Sequence, residues 1–135
     1  MMIVPITAVF ASVTALLMLF LAYKVSTFRL KHRQGIGVNP DDPDFEVAVR
    51  AHANLVEYAP ITLIVMGLGE LNGVSIQVVY WVGMVFVAGR LLHAYGMFNG
   101  HGGPHKARLV GILMTWLSML VMSVFTVWNV VQVYG

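Results

Sequence analysis

The chain has 135 residues, of which 59% are hydrophobic and only 10% charged, with a mean hydropathy of +0.80; a soluble domain of this size is about a quarter charged, so the composition excludes an ordinary water-soluble fold and points to the membrane. Cysteine is absent, which excludes disulfides, thiolate metal sites and a cysteine nucleophile. The net charge of +2 is too small to suggest a nucleic-acid partner, and where the charges sit is more informative than their sum.

Four runs are free or nearly free of charge: 1–23, 51–69 (broken by Glu57), 71–89 and 109–135. Each is close to the roughly 20 apolar residues a span requires. Helices are expected because lipid cannot satisfy backbone N–H and C=O groups. The fold class is therefore all-α, an integral membrane four-helix bundle. We expect one domain over residues 1–135, with helices at approximately 3–33, 43–70, 74–98 and 105–133. No repeat with a period of 20–50 residues is visible.

The first run is followed, not preceded, by positive charge: Lys24, Arg29, Lys31 and Arg33. That is the reverse of a signal peptide and predicts a retained first helix with its N-terminus outside. The first connection, "RQGIGVNPDDPD", is rich in Gly, Pro, Asn and Asp, as loops are. Helix two then starts with Asp42 as N-cap and Pro43 at the first helical position, where a missing N–H costs nothing. Asp44 and Glu46 place negative charge in the first turn, which the helix dipole favours.

Inside helix two, Arg50, Asn54 and Glu57 fall on one face, by the spacing i, i+4 and i+7. An intramembrane carboxylate such as Glu57 faces a bundle interior or a watery cavity and has a partner. Two readings fit this stripe. One is a structural polar network, with Arg50 snorkelling into headgroups. The other is a site for a ligand bearing both charge signs: Arg50 for a carboxylate, Asn54 for an amide, Glu57 for an ammonium or amide N–H.

A tight turn at "LNG" leads to helix three, where "AGRLLHAYGM" aligns Arg90, His93 and Met97 and leaves Tyr95 on another face. Arg90 reads as an interface anchor or a ligand contact, and His93 as an interhelical hydrogen-bonder or a catalytic group. His101 and His105, in the glycine-rich third connection "NGHGGPHK", have a metal-like spacing but no third ligand, so no metal is expected. In helix four, Met114, Met119 and Met122 fit either an adaptable groove or ordinary packing. Trp81 and Trp128 suit the outer membrane interface, whereas Trp116 is placed to pack against a neighbouring helix.

All eight Lys and Arg residues border the first and third connections. The positive-inside rule puts those connections in the cytoplasm and both termini outside.

The run Arg50, Asn54, Glu57, Tyr58, Pro60 resembles the helix-two signature of the MAPEG family, the membrane-associated proteins in eicosanoid and glutathione metabolism. Its spacing is similar to that of the leukotriene-forming glutathione synthase branch. Arg29 and Arg33 are similar in position to that branch's basic residues ending helix one. "ARL" at 107–109 resembles the opening of its helix four. The short chain looks most like a bacterial branch, which implies the bacterial inner membrane.

The resemblance implies a homotrimer with glutathione as co-substrate, bound between adjacent protomers in the cytoplasmic half of the membrane. Arg29, Arg50, Asn54, Glu57 and Tyr58 would contact it from one protomer, and Arg90, His93 and Arg108 from the neighbour. Arg108 would stabilise the thiolate, with Lys106 as the alternate. A lipophilic small molecule would enter from membrane lipid. The chain departs from much of the family in carrying Met97 where a tyrosine stands. The implied function is a glutathione-dependent transferase or peroxidase. The alternative is a non-catalytic glutathione- or lipid-binding protein of the same fold. A small channel is disfavoured, because the outer halves of the spans are apolar.

Overall fold

A computed structural model describes residues 3–134; Met1, Met2 and Gly135, which the expected domain span includes, lie outside the described residues. It contains four α-helices, α1 (Pro5–His32), α2 (Pro43–Leu71), α3 (Ile76–Asn99) and α4 (Lys106–Tyr134), and no strand among the described residues. All four are long and apolar enough to cross a membrane.

The helix starts follow from local chemistry. Pro5 and Pro43 stand in the first turns of α1 and α2, with Asp44 and Glu46 in the first turn of α2. Ser75 caps α3, its Oγ accepting from the Val78 N–H at 3.4 Å. Gly73, at φ 85°, supplies the left-handed residue of the α2–α3 turn.

Asp42 is the N-cap residue of α2, but its side chain makes no cap bond. Its carboxylate instead accepts from Lys31 Nζ and His32 Nε2, each at 2.7 Å, so it ties the end of α1 to the start of α2. Asn39 completes the clamp. Its Oδ1 accepts from the Asp41 N–H, which turns its Nδ2 toward His32 Nδ1 at 3.0 Å. The Lys31 hydrogen bond, with that of His32 behind it, holds the Asp42 carboxyl below its ordinary 3.8.

At the opposite end, Glu70 near the C-terminus of α2 reaches the first turn of α1. Its two carboxylate oxygens accept from the Ile6 N–H at 2.9 Å and the Thr7 N–H at 2.8 Å. A carboxylate on a helix N-terminus satisfies orphan donors and complements the dipole. In the sequence Glu70 marks only the boundary between two apolar runs.

The helices alternate in direction. Glu70 of α2 meets the start of α1, and Gly96 near the end of α3 meets Arg108 near the start of α4. One end of the bundle therefore gathers the C-termini of α1 and α3, the N-termini of α2 and α4, and the basic residues. Between the ends lie two apolar clusters. One is built around Leu21, Leu55, Phe86 and Met97, the other around Phe10, Met66, Val79 and Met122.

The α3–α4 pair is the tightest. A Cβ on Gly111 would lie 2.5 Å from both the Gly89 carbonyl oxygen and the His93 nitrogen. Gly96 likewise abuts the Arg108 backbone. Association in lipid depends on such close backbone approach, because burial from water contributes little there. The backbones of α1 and α4 do not approach each other closely among the described residues.

Met122 is fully buried, so packing is its role. Trp116 is 51% exposed, so its own chain leaves about half of it uncovered. Trp81 and Trp128 are outward-facing.

Candidate functional site

The basic end of the bundle holds two adjoining cavities. The larger, about 520 Å³, lies among α2, α3 and the start of α4. Its polar wall is Asn54 and Tyr58 from α2, His93 from α3, and His105, Lys106 and Arg108. Pro104, Leu109 and Ile112 form its apolar wall, and no carboxylate lines it. Its volume falls within the ~300–1,000 Å³ usual for small-molecule sites. The smaller cavity, about 330 Å³, lies under the third connection and is lined by Arg50, Glu46, Met97, His101 and Arg108, among others. Arg108 borders both.

Local structure explains how α4 presents its cations. His105 Nδ1 accepts from the Ala107 N–H at 3.2 Å and satisfies one orphan donor of the first turn. Arg108 Nη1 donates to the Gly102 carbonyl at 2.7 Å and reaches that of Gly103 at 3.4 Å, folding the glycine loop over the helix start. Gly102, at φ 79°, makes that fold possible, and His101 beside it is also left-handed, at φ 46°. His101 Nδ1 lies 3.0 Å from Asp44 Oδ1 and pins the loop to the first turn of α2. The two loop histidines thus have separate partners, and no cluster able to hold a metal ion occurs among the described residues.

The expected site residues separate into groups. Asn54, Tyr58, His93, Lys106 and Arg108 come together in the larger cavity. Arg50 joins Arg108 at the smaller one, beside Met97, which is buried against α2. Arg90 is 2% exposed and lines neither cavity; its Nη1 donates to Asn54 Oδ1 at 2.9 Å, and its guanidinium lies 5.6 Å from the centre of the Tyr58 ring. Arg29 also turns inward on its own chain: its Nη1 donates to the Gly35 carbonyl at 2.5 Å, and its guanidinium lies over Phe45. Glu57 is exposed on α2 and lines neither cavity. Within the chain His93 makes no interhelical side-chain hydrogen bond among the described residues, and it faces the cavity instead.

Comparison with known proteins gives this geometry its family. The MAPEG family profile matches residues 7–128. The chain belongs to the MAPEG family. It is also 32% identical over 123 residues to "Inner membrane protein YecN" of Escherichia coli strain K12, covering 91% of each chain. The YecN protein of Escherichia coli O6:H1 matches to the same extent. For this MAPEG chain the helix-two motif falls on two faces of α2. Asn54 and Tyr58 line the larger cavity, while Glu57 and the exposed Val56 point outward.

The sequence reading missed His105, Pro104, Leu109 and Ile112 as cavity wall. The signal present was a histidine next to a helix start, followed by apolar residues three apart at 109 and 112. It missed Gly96 and Gly111 as well, because a glycine's packing partner lies on another helix.

Proposed function

We propose that this MAPEG protein is an inner-membrane, glutathione-dependent transferase or peroxidase acting on a lipophilic substrate. The observation that carries the proposal is the larger cavity, which has cations and an amide but no carboxylate on one side and apolar residues on the other. Glutathione brings two carboxylates and an ionisable thiol. The apolar wall at Leu109 and Ile112 lies next to outward-facing α4 residues such as Leu113 and Trp116, a route by which a lipid-dissolved electrophile reaches the thiol.

In the proposed chemistry Arg108 faces the thiol. A free thiol has a pKa near 8.5 and reacts as the thiolate. A guanidinium within a few ångströms favours the anion and keeps its own proton at any ordinary pH. In transfer, the sulfur bonds to an electrophilic carbon as that carbon's bond to its leaving group breaks; the leaving group departs with the electron pair, and the thiol proton goes to solvent at the basic end. In peroxide reduction, the thiolate attacks the terminal peroxide oxygen, the O–O bond breaks and the lipophilic alcohol leaves; a second glutathione then displaces water from the oxidised sulfur, and the two end as a disulfide.

The site is proposed to be completed by other copies in a homotrimer. Arg50 and Glu57 are exposed on α2, and α1 presents exposed Leu16, Leu19 and Phe20. An intramembrane carboxylate without a partner in its own chain is costly, so a neighbouring protomer is the natural source of one. Both termini are proposed to lie outside, with the basic end in the cytoplasm.

A second reading has an observation of its own. Met97 is buried at the place where much of the family carries a tyrosine, and Arg108 already donates to two loop carbonyls. A protein that binds glutathione without ionising it has these features. The deciding experiment is glutathione binding to the purified protein in detergent, followed by thiolate absorbance. Arg108→Leu should leave glutathione bound and reduce the thiolate signal at least tenfold, and Lys106→Leu should change it much less. Binding without thiolate in the wild type selects the non-catalytic reading. No binding rejects both.

A further inference from the structure

The contact between Arg90 and Asn54 constrains the larger cavity in a way that neither residue reveals alone. A guanidinium has five N–H donors and no acceptor. Whatever the Asn54 amide turns toward Arg90 must therefore be its oxygen, which removes the usual ambiguity between amide oxygen and nitrogen. Arg90 Nη1 donates to Asn54 Oδ1 at 2.9 Å and approaches the Asn54 backbone oxygen at 3.5 Å. Both contacts hold the same residue. The amide oxygen is thereby turned away from the cavity that Asn54 lines. Its Nδ2 has no acceptor among the described residues, so its two protons are left for a ligand.

Arg90 itself is too deep to touch that ligand. It is 2% exposed and absent from both cavity walls, and its Nε and Nη2 are buried without a partner. A buried cation with unpaired donors is costly, which suits a residue whose task is to orient a neighbour. Tyr58, whose ring lies against the guanidinium, and His93, one turn further along α3, close the space around it.

We infer that Arg90 is a positioning residue: it grips the amide oxygen of Asn54 and so makes Asn54 a hydrogen-bond donor that selects a ligand presenting an acceptor, a carboxylate or carbonyl oxygen, at that point of the cavity. This rests on the glutathione reading for the identity of the ligand but not for the orientation of the amide. It narrows the expectation that Asn54 meets an amide: the amide would be met at its C=O side. It also moves Arg90 from the set of glutathione contacts to the layer behind them.

The test uses the purified full-length protein in detergent with glutathione as probe. Asn54→Asp keeps an acceptor for Arg90 and replaces the donor with a second acceptor. It should leave the melting temperature equal to or above wild type while weakening glutathione at least tenfold, about 1.4 kcal/mol. Arg90→Met should weaken glutathione to a similar degree by freeing the amide, and Arg90→Lys, which restores a donor to Oδ1, should recover most of the affinity. Wild-type affinity in Asn54→Asp would overturn the donor assignment. Equal loss in Arg90→Met and Arg90→Lys would overturn positioning through Asn54. If the wild type binds no glutathione, the functional reading fails separately, and the inference is then read from nitrogen-15 spectra. The Asn54 side-chain amide resonance, identified by its loss in Asn54→Asp, should move in Arg90→Met and stay in Arg90→Lys. An unmoved resonance in Arg90→Met overturns the inference.

Discussion

Gly96→Ala adds one methyl group where α3 meets the start of α4, and its effect follows from the geometry there. The new Cβ would lie 2.8 Å from both Cα and Cβ of Arg108 and closer still to its backbone nitrogen. Non-bonded carbons rest at about 3.5–4.0 Å. The obstacle is backbone, which no side-chain rotation relieves, so the start of α4 must retreat by about 1 Å. Overpacking of this kind costs about 1–3 kcal/mol, and replacing a helical glycine with alanine returns up to about 1 kcal/mol. With the full return the net loss is up to about 2 kcal/mol, which should lower Tm in detergent by up to several degrees. The functional effect should be larger than the stability effect, because the retreat carries Arg108 with it. A displacement of about 1 Å can reduce a reaction about 100-fold. Thermal unfolding and thiolate absorbance of bound glutathione, measured on one preparation, separate the two effects. Gly67→Ala is the control: its Cβ would meet nothing closer than Thr7 Cγ2 at 3.7 Å, so it should be neutral or stabilising. Wild-type Tm and wild-type thiolate in Gly96→Ala would refute the close α3–α4 contact. Equal damage from Gly67→Ala would show that the effect is not one of local crowding.

Glu70→Gln removes the charge and one of the two oxygens that hold the start of α1; hydrogen bonds to charged groups contribute about 1.5–3 kcal/mol each, so Tm should fall and amide exchange at Ile6 and Thr7 should accelerate, with glutathione affinity unchanged. The Asp42 clamp has a pH signature. Because its carboxyl is held below the ordinary 3.8, its contribution is present above that pH and is lost as pH falls through the lower folded value; protection of the first connection against hydrogen exchange, taken relative to the intrinsic rate at each pH, should fall in stronger acid, and Asp42→Asn should abolish that fall. A reporter fused after residue 135 should be active only outside the cytoplasm, and activity inside would invert the proposed topology. Amine-directed cross-linking of the protein in mild detergent, through its lysines and N-terminus, should stop at three copies; a monomer that binds glutathione fully would refute an intersubunit site.

The four spans, and the gathering of every lysine and arginine toward one end, were legible in the sequence. Hydropathy and charge bias are sums over neighbouring residues, and the bilayer acts on them with little regard to which helix touches which. The start of α2 at Asp42 and Pro43 was legible for a similar reason, since a first turn is a matter of four or five adjacent residues. The family motif was legible as spacing, but spacing on one helix did not say which face looks inward. Only the packed bundle separates Asn54 and Tyr58, which line a cavity, from Glu57, which faces out. The same limit governs the polar partners. Asp42 was read as a cap because its own helix invites one, yet Lys31 and His32 come within reach only when the loop closes and take the carboxylate. Glu70 finds the start of α1 at a separation of 64 residues, and Arg90 finds Asn54 at 36. Such pairs form because a charged group that packing turns away from water bonds to whatever the other helices bring near, and what they bring near is decided by how the helices pack and not by the residues beside either partner.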